Sequence, residues 1–135
     1  MGGLDMYVYK MKEFKPSNTV DFHEEIDFLV ENDGTIHKPE KFFHWRNHPN
    51  LHGLMEKIYR EKGGKENHFN CTPVKLTQED LDRIGALVID DELPITEGFN
   101  FGKSSDKMKE KDIEFLEKAS QALKEGFTIW YDSWW

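Results

Sequence analysis

The chain has 135 residues, of which 37% are hydrophobic and 33% charged, and its formal net charge is −8. A chain of this length forms one domain with a core large enough to need no disulfide or metal, and its aromatic content argues against disorder. The acidic balance repels phosphate backbones, and the lysines are scattered among acidic residues, so nucleic acid is an unfavourable partner.

No apolar run approaches the roughly 20 residues that a membrane span needs. The opening Met1-Gly2-Gly3-Leu4-Asp5 has neither the basic nor the apolar region of a secretory signal. Met6 stands where a myristoylation signal wants Ser or Thr. Cys71 is the only cysteine, which rules out an intrachain disulfide and suits a reducing compartment. The expectation is a cytoplasmic protein that does not associate with membranes.

Leu4 to Phe14 contains Tyr7, Val8 and Tyr9 and favours a strand, ending in the turn cluster Lys15-Pro16-Ser17-Asn18. Val20 to Val30 is ambiguous between helix and strand. Asn32-Asp33-Gly34-Thr35 suits a hairpin turn, with Ile36-His37-Lys38 as its returning arm. Pro39 to Tyr59 reads as a helix interrupted at Pro49. Phe42, Phe43, Trp45 and Arg46 lie before the break, and Leu51, Leu54, Met55 and Ile58 repeat at helical spacing after it.

Arg60 to Asn67 is a polar, glycine-bearing loop, and His68 to Leu76 reads as extended. Thr77 caps a helix whose buried stripe is Leu81, Ile84, Leu87 and Val88, with Glu79 and Asp80 at the positive end of its dipole. Gly85 weakens that helix by about 1 kcal/mol relative to alanine. Leu93-Pro94 ends the helical region, and Glu97 to Gly102 reads as a short strand bracketed by glycines. Ser104 or Ser105 caps a last helix running to about Lys124, with Ile113, Leu116, Ala119 and Leu123 facing inward and Gly126 as its stop. Phe127, Ile129 and Tyr131 then alternate as a strand. The mixture predicts an α+β domain: a small antiparallel-rich sheet with three or so helices packed mainly on one face. The aromatic first and last strands are expected to pair near the sheet centre.

The segment His44-Trp45-Arg46-Asn47-His48-Pro49-Asn50-Leu51-His52 carries a histidine at every fourth position. On one unbroken helix His44, His48 and His52 would share a face, and imidazoles are good zinc or iron ligands. Against this, Pro49 interrupts the repeat, and the glutamate of a His-Glu-x-x-His metalloprotease is missing, so surface or capping histidines are the competing explanation. Arg46 could stack on Trp45 or hold an anionic group. Cys71 has His68 three residues away, on the opposite face of any strand, which favours a structural cysteine over a nucleophile. Gly98-Phe99-Asn100-Phe101-Gly102 lacks the third glycine and the Gly-Lys-Ser/Thr ending of a phosphate loop, although Lys103-Ser104-Ser105 leaves an anion site open. Asp90, Asp91 and Glu92 lack calcium-loop spacing and read as a solvated acidic loop. The terminal tryptophans either fold back onto the core, the favoured outcome, or form part of a partner surface.

Several landmarks resemble a family of small uncharacterised proteins of tailed bacteriophages and prophages. The opening Gly3-Leu4-Asp5-Met6-Tyr7 is similar to the family's Gly-Leu-Asp-Met-Tyr-Leu start. Phe43-His44-Trp45-Arg46 with His52 resembles its aromatic-Trp-Arg-Lys segment and following histidine, and a cysteine-bearing strand and a helix come next, as around Cys71 and Thr77 to Val88. Leu93-Pro94 with Gly98-Phe99-Asn100-Phe101-Gly102 resembles Leu-Pro-x-x-x-Gly-Phe-Phe-Phe-Gly, and Tyr131-Asp132-Ser133-Trp134 resembles a Tyr-x-Ser-Trp end. Asn47 and Asn100 depart from the pattern, and the segment from Lys15 to Pro39 has no counterpart. The resemblance implies a viral accessory protein in the cytoplasm of an infected bacterium and brings no catalytic residue or cofactor.

The functional expectation is a non-enzymatic accessory protein that binds a host or phage macromolecule, most naturally a protein, through Trp45, Arg46, Phe99, Phe101 and Trp134. The alternative is a small metal- or nucleotide-dependent enzyme with His44, His48 and His52 as ligands and Arg46 holding an anionic substrate group. Single-stranded nucleic acid stacking on Trp45, Phe99 and Phe101 is a third, less favoured reading because of the charge.

Overall fold

A computed structural model describes residues 3–12, 29–30, 36–37, 39–98 and 101–135. In chain order these form β1 (Asp5–Lys12), β2 (Leu29–Val30), β3 (Ile36–His37), β4 (Glu40–Arg46), α1 (Pro49–Glu61), β5 (Val74–Leu76), α2 (Gln78–Ile89), α3 (Met108–Lys124) and β6 (Phe127–Trp134). The expected turns at 15–18 and 32–35, most of the segment 20–30, and Phe99 and Asn100 lie outside the described residues.

The domain is α+β. Four strands form an antiparallel sheet in the order β4-β1-β6-β5, and β2 pairs with β3 in a separate two-stranded sheet. The first and last strands pair at the centre, from Asp5 opposite Trp134 to Lys12 opposite Phe127. Period-2 alternation explains the pairing: Met6 and Val8 of β1, and Ile129, Tyr131 and Ser133 of β6, are all buried. Trp130 and Met11 lie on the opposite parity and are buried as well, so this stretch of the sheet is shielded on both faces.

The core joins the alternate strand residues to the helices. Leu51, Leu54, Met55 and Ile58 of α1 are buried as the spacing predicts, as are Leu81, Ile84 and Val88 of α2, whereas Leu87 is only partly buried. Thr77 caps α2 in a reciprocal capping box with Asp80.

Five expectations need correction. The aromatic segment before Pro49 is strand β4, not helix: Phe43 and Trp45 alternate into the core, and the backbone pairs with β1 from Asp5 opposite Arg46. Only Val74–Leu76 of the expected extended segment 68–76 is a strand. The described residues of Glu97 to Gly102 form no strand; a turn closes from the Phe101 N–H to the Gly98 carbonyl at 3.2 Å. The buried stripe of α3 is Asp112, Phe115, Ala119 and Ala122: Ala119 faces inward as expected, Leu116 and Leu123 are only partly buried, and Ile113 is exposed. The same helix begins at Met108 with Lys107 at its N-cap and no side-chain cap, so neither Ser104 nor Ser105 caps it.

Candidate functional site

The turn from β4 into α1 creates the site. Asn47 takes a left-handed conformation (φ 56°), one that asparagine tolerates better than most residues. Its N–H donates to the Leu4 carbonyl at 2.8 Å, and its side-chain oxygen accepts the Leu4 N–H at 2.9 Å. This double clamp ties the turn to the start of β1. Pro49 then occupies the first helical position of α1, where its missing N–H costs nothing and its fixed φ suits the helix. His48, immediately before it, is only 2% exposed.

Two distant segments close over this turn. Gly102 has a φ of +71°, and a Cβ there would lie 2.9 Å from the Cβ of Asn47, so only glycine lets the chain pass this close. Two residues on, Ser104 Oγ lies 2.7 Å from His48 Nδ1 and accepts the Asn50 N–H at 3.1 Å. From α3, Asp112 enters with Oδ2 2.9 Å from His48 Nε2, and its Oδ1 accepts the Trp45 indole N–H at 2.9 Å. Asp112 is 1% exposed.

The network fixes its own proton positions. With Asp112 as a carboxylate, both its oxygens accept, so His48 Nε2 carries the proton and Nδ1 is left as an acceptor. Ser104 Oγ already accepts from Asn50, so its hydroxyl proton points at Nδ1. The result is a serine, histidine and aspartate in one unbroken line, with the aspartate held by an indole. The same bonds also fasten the 101–104 segment and α3 onto the start of α1, a structural role that any chemistry would share.

Ser104 faces two clefts. A cleft of about 150 Å³ is lined by His48, Asn50, Asp91, Asp106, Lys109 and Asp112 along with Ser104. A second, of about 530 Å³, runs past Pro49, Ile95, Thr96, Gly98 and Lys103 to the same serine. The amino end of α1 sits between them. Asn50 contributes its N–H there, and helix geometry leaves the Leu51 N–H without an intrahelical acceptor.

The other two histidines take different partners. His44 is exposed on β4, stacks on Tyr7 at 5.2 Å and lies 3.4 Å from an Asp5 oxygen. His52 is buried in α1, with Nδ1 2.6 Å from the Tyr131 hydroxyl and its ring 5.1 Å from both Phe69 and Phe101. Burial lowers the His52 pKa to about 4, and it raises that of Tyr131 well above the ordinary value. His44 belongs to a strand while His48 and His52 follow the Asn47 turn, so the fourfold spacing never maps onto one helix. Among the described residues no three His, Cys, Asp or Glu side chains are grouped to hold a metal ion.

The residues expected to bind a partner are also dispersed. Trp45 is fully buried, packed edge-on against Phe43 and Phe115 at 4.7 and 4.9 Å. Phe101 is buried against His52 and Trp135. Arg46 is exposed, with Nε 3.8 Å from Asp5. The terminal tryptophans divide: Trp135 donates its indole N–H to the Phe69 carbonyl at 2.8 Å, whereas Trp134 is 65% exposed. Cys71 is exposed with a φ of 55°, and partial desolvation together with the charge of Asp132 pushes its thiol pKa up, away from the reactive thiolate.

Asp112 and Ser104 escaped the sequence. Asp112 lies in the charged run Lys109-Glu110-Lys111-Asp112, which reads as a solvated helix face, and Ser104 reads as a helix cap. One faint signal was present: Asp112 is in phase with Phe115, Ala119 and Ala122, an apolar stripe with an acid in it. Comparisons with family models, curated proteins and solved structures return no match for this chain.

Proposed function

We propose that the chain is a small hydrolytic or acyl-transfer enzyme in which Ser104 is the nucleophile, His48 the general base and Asp112 the residue that positions His48. One observation supports this above others: Ser104 Oγ, His48 and Asp112 are joined by contacts of 2.7 and 2.9 Å at the edge of an open cleft. Ser104 Oγ attacks a carbonyl carbon while its proton passes to His48 Nδ1. Asp112 stabilises the imidazolium so formed. The bond to the leaving group breaks as His48 returns the proton to it, leaving an acyl-serine. Water, or another alcohol or amine, then attacks that ester and gives its proton to His48, which passes it to Ser104 Oγ as the acyl–oxygen bond breaks. The Leu51 N–H in the first turn of α1 is left to offer the oxyanion a donor, since the Asn50 N–H is bonded to Ser104 Oγ.

The test is covalent labelling with a fluorophosphonate, read by mass spectrometry, alongside hydrolysis of p-nitrophenyl acetate. Labelling at Ser104 that His48→Ala abolishes, with turnover lost in Ser104→Ala, is the expected result. Absence of label from a folded protein, or turnover unchanged in Ser104→Ala, removes the assignment.

A second reading, binding of a host or phage macromolecule, draws on a different observation: Trp134 is 65% exposed at the end of the central strand β6. A tryptophan in that position suits an interface anchor, and the resemblance to a phage family supports an accessory role in an infected bacterium. A pull-down from bacterial lysate with Trp134→Ala as control separates it, since a partner retained equally by the variant counts against that surface.

A further inference from the structure

We infer that the substrate of Ser104 is an ester or amide with an extended acyl group and a small leaving group that is uncharged or cationic. This rests on the assignment of Ser104 as nucleophile and adds the direction in which a substrate lies. A tetrahedral carbon on Ser104 Oγ must send its acyl chain and its leaving group different ways, and a cleft opens on either side of this serine. The general acid decides between them. His48 must reach the leaving atom to protonate it, and His48 and Asp112 line the smaller cleft of about 150 Å³. The leaving group belongs there.

That volume equals about five waters at their liquid share of roughly 30 Å³ each, room for a few heavy atoms. The acyl chain is left with the cleft of about 530 Å³, where Pro49 and Ile95 offer apolar surface beside the polar side chains of Asn50, Glu97 and Lys103. Its size falls within the range of pockets that hold small molecules.

Charge sets the second preference. The smaller cleft contains Asp91, Asp106, Lys109, His48 and Asp112. Lys109 is committed to Asp91 at 3.3 Å and to the Ile89 carbonyl at 3.0 Å, and Asp112 is committed to His48 and Trp45. Asp106 is exposed and lines the same cleft. A carboxylate on the leaving group would meet this acidic wall, and an ammonium would be attracted to it.

Ester hydrolysis followed by titration of released acid tests the inference with four probes: methyl acetate and the methyl, choline and glycolate esters of hexanoic acid. Methyl hexanoate is expected to exceed methyl acetate in kcat/KM by at least about tenfold, since each buried methylene contributes roughly fourfold. The choline ester is expected to exceed the glycolate ester by about fivefold, the size of one exposed ion pair, and Asp106→Lys is expected to reverse that order. Ser104-dependent hydrolysis that ignores chain length, or favours glycolate, overturns the inference and leaves Ser104 standing. Failure of every ester together with failure of fluorophosphonate labelling overturns both.

Discussion

Replacing Asp112 separates the chemical role of the buried line from its structural one. In Asp112→Ala, the His48 Nε2–H and the Trp45 indole N–H both lose their acceptor in a region that is 0–2% exposed. Each stranded donor costs about 1–3 kcal/mol, so the variant should lose about 3–5 kcal/mol of stability. Asp112→Asn preserves shape. Its oxygen still accepts from Trp45, but its amide now faces His48 Nε2 and forces the imidazole proton onto Nδ1. Two charge-assisted bonds become neutral ones, a loss of about 1–2 kcal/mol, or a fall in Tm of about 4–8 °C at this chain length. The same tautomer change turns Nδ1 into a donor, so His48 can no longer take the Ser104 proton. Fluorophosphonate labelling should therefore slow by roughly 10³–10⁴ in a protein that is still folded. Urea denaturation followed by tryptophan fluorescence gives the stabilities, and timed mass spectrometry gives the labelling rate. Native-rate labelling of Asp112→Asn would sink the catalytic reasoning, and a native urea midpoint for Asp112→Ala would sink the structural reasoning as well.

Other perturbations follow from the same geometry. His52 has its pKa lowered by burial from 6.5 to about 4, so the unfolded chain binds this proton more readily than the folded one. The stabilisation is fully present above pH 6.5 and is lost as the pH falls toward 4, a change on the order of 3 kcal/mol. Urea melts at pH 7, 5.5 and 4 should show a steeper acid loss in the native chain than in His52→Gln. Gly102→Ala should cost about 1–2 kcal/mol, because it forces a side chain into the left-handed region and against Asn47. Thermal unfolding measures this, and labelling of Ser104 should slow in the same variant as the 101–104 segment loosens.

What the sequence disclosed depended on whether one physical signal dominated locally. The strands β1 and β6 and the capped helix α2 were legible because alternation or a cap pointed one way. The segment Lys41-Phe42-Phe43-His44-Trp45 reads as helix although a short aromatic run fits a helix or a strand equally, and its pairing with β1 is a tertiary fact. The site was largely hidden for the same reason. His48 stands out in the sequence, but as part of a helical triplet that the Asn47 turn dissolves. Its real partners lie 56 and 64 residues away in sequence, so no local spacing could join them. Asp112 reads as one more solvent charge until the indole and imidazole that bury it are in place.

The central pairing of β1 with β6 has a consequence for how the chain is made. Residues 5–12 leave the ribosome well before their long inner neighbour, which spans 127–134. Until that strand is available, β5 lacks the strand it pairs with, and β1 has only β4. Most of the sheet must therefore assemble after nearly all the described chain has left the ribosome, through contacts of high sequence separation that slow folding. Meanwhile Met6, Val8 and the apolar residues of β4 remain in search of cover. The nascent protein has a long window in which a chaperone can hold it, and shortening β6 should convert a folding domain into an aggregating one.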